Sequence, residues 1–389
     1  MLTPAYLSAL PDELSILYSE VEDDIINDIA KRLGKVDFTS ISSSAEWQIK
    51  KATELNLTRT QLIDRLASVS GRSVKEVTTL FANANIKTMD FDRQVMGDIN
   101  FYSESQQQLL NAGIKKCNGE LRNLTRNTII ETSNEYNKII DSAYLQVSTG
   151  AFSQQQAVSM ALKKLAKDGL LTAVYESATG KKTVQNLDGV VRRAVVTGIN
   201  QTTAQLQLDR LDAVGWDLVE VTSHAGSRPS HAQWQGKIFS RNGTSKQYGD
   251  FVSSTNYGAV DGLCGANCRH NFYPFLEGVS EKAFDQYVTP RKAGETPQQA
   301  NDRVYEESQT QRYIERQIRS WKRQGDALAS AGLDNSKEVA KVAEWQGKMR
   351  QHIKATGRTR RYTREGGSPV RFKGTKPLNQ STNRQATVK

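Results

Sequence analysis

Only four histidines occur in the 389 residues, and three of them fall between positions 224 and 270 together with two of the three cysteines. His224 and His231 flank the pair Arg228-Pro229 in "HAGSRPSHAQWQGKIF", and "GLCGANCRH" then adds Cys264, Cys268 and His270. Such residues can do three things. Zinc takes four Cys or His ligands in a tetrahedron, and Cys264, Cys268 and His270 with either His224 or His231 would supply them. The C-x3-C spacing is looser than the usual C-x2-C, and no second pair mirrors it. Catalysis is the second possibility. His224 and His231 would act as acid and base on a phosphodiester, with Arg228 stabilising charge, as in a metal-dependent, nuclease-like enzyme. No paired carboxylates for Mg²⁺, phosphate-cradling glycine loop or nucleophile motif accompany them. The third possibility is a polar staple. His224, Arg228, Pro229, His231, Trp234, Gly236, Asn267 and Arg269 would cross-link a small sheet around Trp234, Phe239, Phe272, Tyr273 and Phe275. A module poor in aliphatic residues needs such fastening, so we expect the staple, with or without one structural zinc, and no enzyme.

Strands must carry these residues. "WDLVEVTS" alternates like a strand, "GKIFSRNGT" is a second running into an Asn242-Gly243 turn, and "RHNFYPF" is a third. They define an α+β module at 216–278. Everything around it reads as helix. In region 1–90 a helix starts at Pro11-Asp12 and stops at Gly34, with Leu14, Leu17, Tyr18, Val21, Ile25, Ile29 and Leu33 on one stripe. The pairs Ser43/Glu46, Thr58/Gln61 and Ser73/Glu76 fit capping boxes and predict short helices in series, the last two split near Gly71. Region 91–215 holds a long proline-free helix and a helix opened by Ser153/Gln156. A hairpin turning at Gly180 and a helix ending at Gly215 follow. Charged helices fill 279–353, and 354–389 is a basic tail. The fold expected is mainly α: an elongated helical body, a small α+β module and a basic, disordered C-terminal tail.

Charge placement supports that division. The formal net charge is +10, yet from Lys354 onward there are ten Lys/Arg and one acid, which leaves about +1 for the first 353 residues. Arg358, Arg360, Arg361, Arg364, Arg371, Lys373 and Lys376 are therefore candidates for contacting DNA phosphates through counterion release. Tyr362 and Phe372 lie among them. Hydrophobic content is 37% and mean hydropathy −0.58, and no apolar run is long enough to cross a bilayer. The N-terminus lacks the pattern of a secretory signal. Three cysteines fit a protein folded in a reducing cytoplasm.

Two blocks, "HAGSRPSHAQWQGKIFS" and "YGAVDGLCGANCRHNFYPF", resemble the phage minor capsid protein 2 family. So do "PAYLSALPDELSILYSEVEDDIINDIAKRLG", "AEWQIKKATELNLTRTQLI" and "VVRRAVVTGINQT", and the resemblance covers about residues 1–285. More distantly, Arg228-Pro229-x-His231, Gly236 and Cys268-Arg269 are similar to the core of the Mu F-type head morphogenesis domain. This chain has His270 where that domain continues Cys-Arg-Cys, an exchange that keeps a metal ligand, and it lacks an additional upstream arginine. The resemblance implies a minor head protein of a tailed bacteriophage or prophage, present in few copies in the virion and assembled in the host bacterial cytoplasm. It implies association with the portal, the procapsid interior and other head proteins, and with double-stranded DNA during packaging or ejection. It implies no membrane partner, and no enzymatic activity transfers to named residues.

Overall fold

A computed structural model of the chain describes residues 1–41, 43–97, 103–169, 171–176 and 182–366. The expected turn at Gly180 and the distal cations Arg371, Lys373 and Lys376, with Phe372, lie outside the described residues. The architecture is mainly helical, with one small three-stranded sheet and a separate two-stranded ribbon.

Helices α1 (Pro4–Ala9) and α2 (Asp12–Leu33) open the chain. Helix α2 starts after Pro11 and ends at Gly34. It buries Leu14, Leu17, Tyr18, Ile25, Ile29 and Leu33 on the stripe its spacing predicts. Next comes a difference. A single helix, α3 (Ser44–Met96), spans 53 residues where short capped helices were expected. Ser43 does cap it, accepting from the Glu46 N–H at 3.1 Å. Thr58 and Gln61 lie inside it, and so does Ser73, whose hydroxyl donates to the Val69 carbonyl at 2.8 Å. A capping box needs a break in apolar periodicity to act on. Here Leu66, Val69, Val77 and Phe81 stay buried straight through Gly71, so packing carries the helix over its weak point.

Helix α4 (Glu104–Ser148) runs through the proline-free stretch. The Ser153/Gln156 capping box opens α5 (Gln154–Asp168) as expected. Strands β1 (Leu171–Glu176) and β2 (Lys182–Asn186) form the antiparallel ribbon, and α6 (Leu187–Ala213) follows. Two apolar cores result. One joins Ile25–Leu33 of α2, Tyr136–Ala143 of α4, Leu162 and Leu165 of α5, and Leu328 near the C-terminus. The other joins Leu7, Tyr18, Phe81, Leu121, Val191 and Ile199.

The sheet module uses β3 (Leu218–Val221), α7 (Pro229–Ala232), β4 (Ile238–Ser240), α8 (Phe251–Thr255) and β5 (Phe272–Pro274). Strand β3 is central, antiparallel to β4 through Val219↔Phe239 and to β5 through Glu220↔Tyr273. Its core of Val219, Val221, Trp234, Phe239, Phe251 and Phe272 also takes Ala204 and Leu211 from α6, so the module is built onto that helix. Buried Glu220 accepts from the main-chain N–H groups of Ala283 and Phe284 at 3.1 and 2.8 Å, which satisfies a charge that burial would otherwise penalise.

Helices α9 (Pro297–Ser330) and α10 (Ser336–Thr356) return along the body and end in a 3-10 turn at Tyr362–Glu365. Residues 354–366, expected to be disordered, are folded. Arg358 Nε donates to Gln311 at 2.7 Å, Arg360 forks onto Glu365 at 2.6 Å through both contacts, and Arg364 reaches Asp12 at 3.3 Å. Glu365, the one acid of the tail, is buried. Charge counting missed these local partners.

Candidate metal centre and arginine cleft

The local sequence explains how the module presents His231. Pro229 occupies the first position of α7, and the His231 N–H returns to the Arg228 carbonyl at 2.7 Å. After α7 the chain reverses at Gly236, whose φ of +62° puts it in the left-handed region. A Cβ there would lie 2.5 Å from the Asp285 main chain, so glycine is required twice over. Cys268 and His270 arrive from the segment before β5, where Asn200 of α6 donates to both their carbonyls at 3.1 and 2.8 Å.

His231, Cys268 and His270 thus meet in one buried group whose ligand atoms all lie within 4.8 Å of one another. The hydrogen-bond network assigns the tautomers. His231 Nε2 lies 2.8 Å from the Asp261 carbonyl, which only accepts, so that nitrogen carries the proton. His270 Nε2 lies 3.0 Å from Gln235 Oε1. That oxygen also accepts from the His224 N–H at 3.2 Å, while the Gln235 amide nitrogen donates to the Gln286 carbonyl at 3.1 Å. The Gln235 amide is therefore held with its oxygen toward the ring, and His270 Nε2 donates too.

Each neutral ring then turns a lone pair on Nδ1 inward. The two Nδ1 atoms face each other at 3.4 Å, with Cys268 Sγ 3.9 Å from His231 and 3.7 Å from His270. Two inward acceptors call for a cation between them. A tetrahedral ion with bonds of about 2.0 Å to nitrogen and about 2.3 Å to sulfur has edges of about 3.3 Å (N–N) and about 3.5 Å (N–S). The trio matches those edges within a few tenths of an ångström. Burial pulls the His231 pKa down to about 4 and that of His270 well below its ordinary range, so both rings stay neutral, as ligands must be. Burial pushes the Cys268 thiol up, and a bound cation would reverse that by taking it as thiolate. The residues fit a metal ion.

The other candidates fall around this trio. Cys264, a ligand in the four-residue arrangement the sequence implied, is not part of the trio: its thiol approaches the His270 carbonyl at 3.7 Å instead. Both thiols are free, without a disulfide. His224 stacks on His270 with ring centroids 4.6 Å apart, and its Nδ1 lies 3.1 Å from the Ala225 carbonyl. Arg228 donates to the Ala266 carbonyl at 3.3 Å. Trp234 packs against His231 at 4.5 Å and His270 at 4.9 Å. Asn267, at φ +56°, contributes its main-chain N–H to Thr197 at 3.0 Å. Arg269, expected to join the polar staple, forms no hydrogen bond among the described residues and borders a cleft instead. Asn200 and Gln235, which hold the site together, carry no sequence signal of their own.

That cleft, about 520 Å³, runs beside the trio between α6, α9 and the 3-10 turn, and His224, Arg228 and His231 border it. Seven arginines line it against two carboxylates. Arg312, Arg316 and Arg319 come from α9 at i, i+4 and i+7, a spacing that puts them on one helix face and could have been read from the sequence.

The family model for phage minor capsid protein 2 matches residues 2–354, and the chain belongs to that family. The match continues past residue 285, where motif resemblance stopped, through α9 and into the last turn of α10. A protein of Lactococcus phage LL-H described as a structural protein is 26% identical over 346 residues, covering 82% of this chain and 88% of its own length. A structural protein of Lactococcus phage mv4 is 33% identical over 117 residues, 28% of this chain and 84% of its own. No solved structure matches. The chain is thus a phage minor capsid protein. Among the described residues no helix is long and apolar enough to cross a membrane.

Proposed function

We propose that this protein is a non-enzymatic minor head protein that docks on the portal and adjoining head subunits inside the procapsid, assembled in the cytoplasm of its bacterial host. The family match over residues 2–354 carries this reading. In this role a zinc ion held by His231, Cys268 and His270 staples the module to α6. The cations beyond residue 366 contact double-stranded DNA, supported by the tail's excess of positive charge.

Two measurements test it. Tagged chain is mixed with isolated portal rings of the same phage, and co-sedimentation is read; chain that stays in the supernatant and is absent from purified heads sinks the portal reading. Protein purified without a metal-affinity tag is assayed for zinc and melted with and without chelator. The expected result is about one zinc per chain and a lowered Tm on chelation. Cys264→Ala should keep the metal, and Cys268→Ala should lose it.

A metal-dependent nuclease-like activity is the second reading, favoured by the placing of His224, Arg228 and His231 on the wall of one cleft. It requires that His224→Ala leave the fold intact and abolish phosphodiester hydrolysis. A stable variant of a protein that never cleaved nucleic acid removes it.

A further inference from the structure

The cleft beside the trio has more positive charge than its own protein neutralises. Asp188 is taken by Arg319 at 3.1 Å, and Arg192 and Arg364 share Asp12 at 2.7 and 3.3 Å. Of the other four, Arg228 donates to the Ala266 carbonyl at 3.3 Å, and Arg269, Arg312 and Arg316 form neither an ion pair nor a hydrogen bond among the described residues, with Glu315 the one further carboxylate on the wall. Arg364 keeps a buried Nε without a partner. A smaller adjoining cleft of about 310 Å³ shares Arg269, Arg312 and Arg364 and adds Arg358 and Arg361.

The shape selects the anion. A single carboxylate engages one guanidinium fork, whereas several arginines converging on one cleft need a group with more oxygens and more charge. Phosphate supplies both. The volume is that of a small-ligand site and cannot admit a duplex, and Tyr305 and His224 on the same walls offer flat faces for a base. We propose that this cleft binds a nucleotide unit through its phosphate groups, with Arg269, Arg312 and Arg316 as the phosphate ligands. The unit is either a free nucleotide or the 5′ end of a nucleic-acid strand. This goes beyond the docking role and is independent of it, because it concerns the isolated chain.

The test is calorimetric titration of the full chain at fixed ionic strength. The probes are inorganic pyrophosphate, a nucleoside triphosphate, and an eight-nucleotide single strand with and without a 5′ phosphate, with sodium chloride as the ionic control. Pyrophosphate and at least one nucleotide probe should bind. Binding of the triphosphate alone identifies a free nucleotide, and preference for the phosphorylated strand identifies a strand end. Arg312→Gln and Arg316→Gln should each weaken binding about tenfold or more, whereas Arg72→Gln, on distant α3, should leave it unchanged. Folding does not confound the result: removing one charge from a repelling cluster should hold or raise the Tm of the free protein, which melting checks directly. No binding by any phosphate probe at millimolar concentration, or equal binding by the Arg312→Gln and Arg316→Gln variants, overturns the proposal.

Discussion

Gln235 decides which way His270 faces. Its amide, pinned at Gln286 and at the His224 N–H, presents an oxygen that fixes the proton on His270 Nε2 and leaves the Nδ1 lone pair facing His231 and Cys268, where a metal ion could be held. Replacing it with leucine keeps the volume and removes that control. Gln235→Leu should lower metal affinity about 10- to 100-fold in a competition assay with a chromophoric chelator. Unchanged affinity would mean that Trp234 packing alone orients the ring. The histidines and Cys268 were legible because their residue types are scarce and chemically specific. Gln235 and Asn200 were not, because an amide acquires this role only from what lies within 3 Å of it after folding.

At the scale of elements, α3 shows how packing overrides local punctuation. A Cβ at Gly71 would meet nothing within 4 Å, and the residue sits mid-helix. Gly71→Ala should therefore stabilise the protein by about 0.5–1 kcal/mol in urea denaturation. A destabilised variant would argue for a real break at this point. The start of α9 offers a pH test. Arg303 forks onto Glu295 at 2.6 and 2.9 Å, holding the Glu295 carboxyl down at about 2. A carboxyl whose folded pKa is depressed contributes stability that is complete above its unfolded value, about 4.5, and is lost as pH falls toward 2. Amide protection in residues 290–296, the exchange rate relative to the intrinsic rate at each pH, should fall over that window. Glu295→Gln should abolish the pH dependence, and a profile unchanged by this substitution would refute the role given to the pair.

Across the whole molecule, a few buried ion pairs join distant parts of the chain. Asp92 of α3 and Arg210 of α6 meet at 2.7 Å with both side chains fully buried, and Gln207 also donates to Asp92 at 2.9 Å. Asp92→Ala should cost about 3–5 kcal/mol, because it removes the carboxylate that pairs with a buried guanidinium. A double-mutant cycle with Arg210→Met should recover much of that loss, and strict additivity of the two losses would show that the pair is not coupled. Arg323 of α9 performs a comparable task on the other side, contacting Glu22 and Asp23 of α2 at 2.6 and 2.7 Å.

Sequence by itself determined the helical character, the three strands of the module, the scarce ligand-bearing residues and the family. Periodicity, residue type and long motifs are local properties that survive without coordinates. Tertiary structure alone decided that α3 is continuous, that Cys264 stands outside the trio of His231, Cys268 and His270, and that Arg358 and Arg364 fold back onto Gln311 and Asp12. It also gathered arginines from α6, α9 and the 3-10 turn around one cleft. These depend on groups brought together from separate elements, or on which of several equivalent partners lies nearest. Burial and hydrogen-bond geometry settle such choices only when the whole chain is packed.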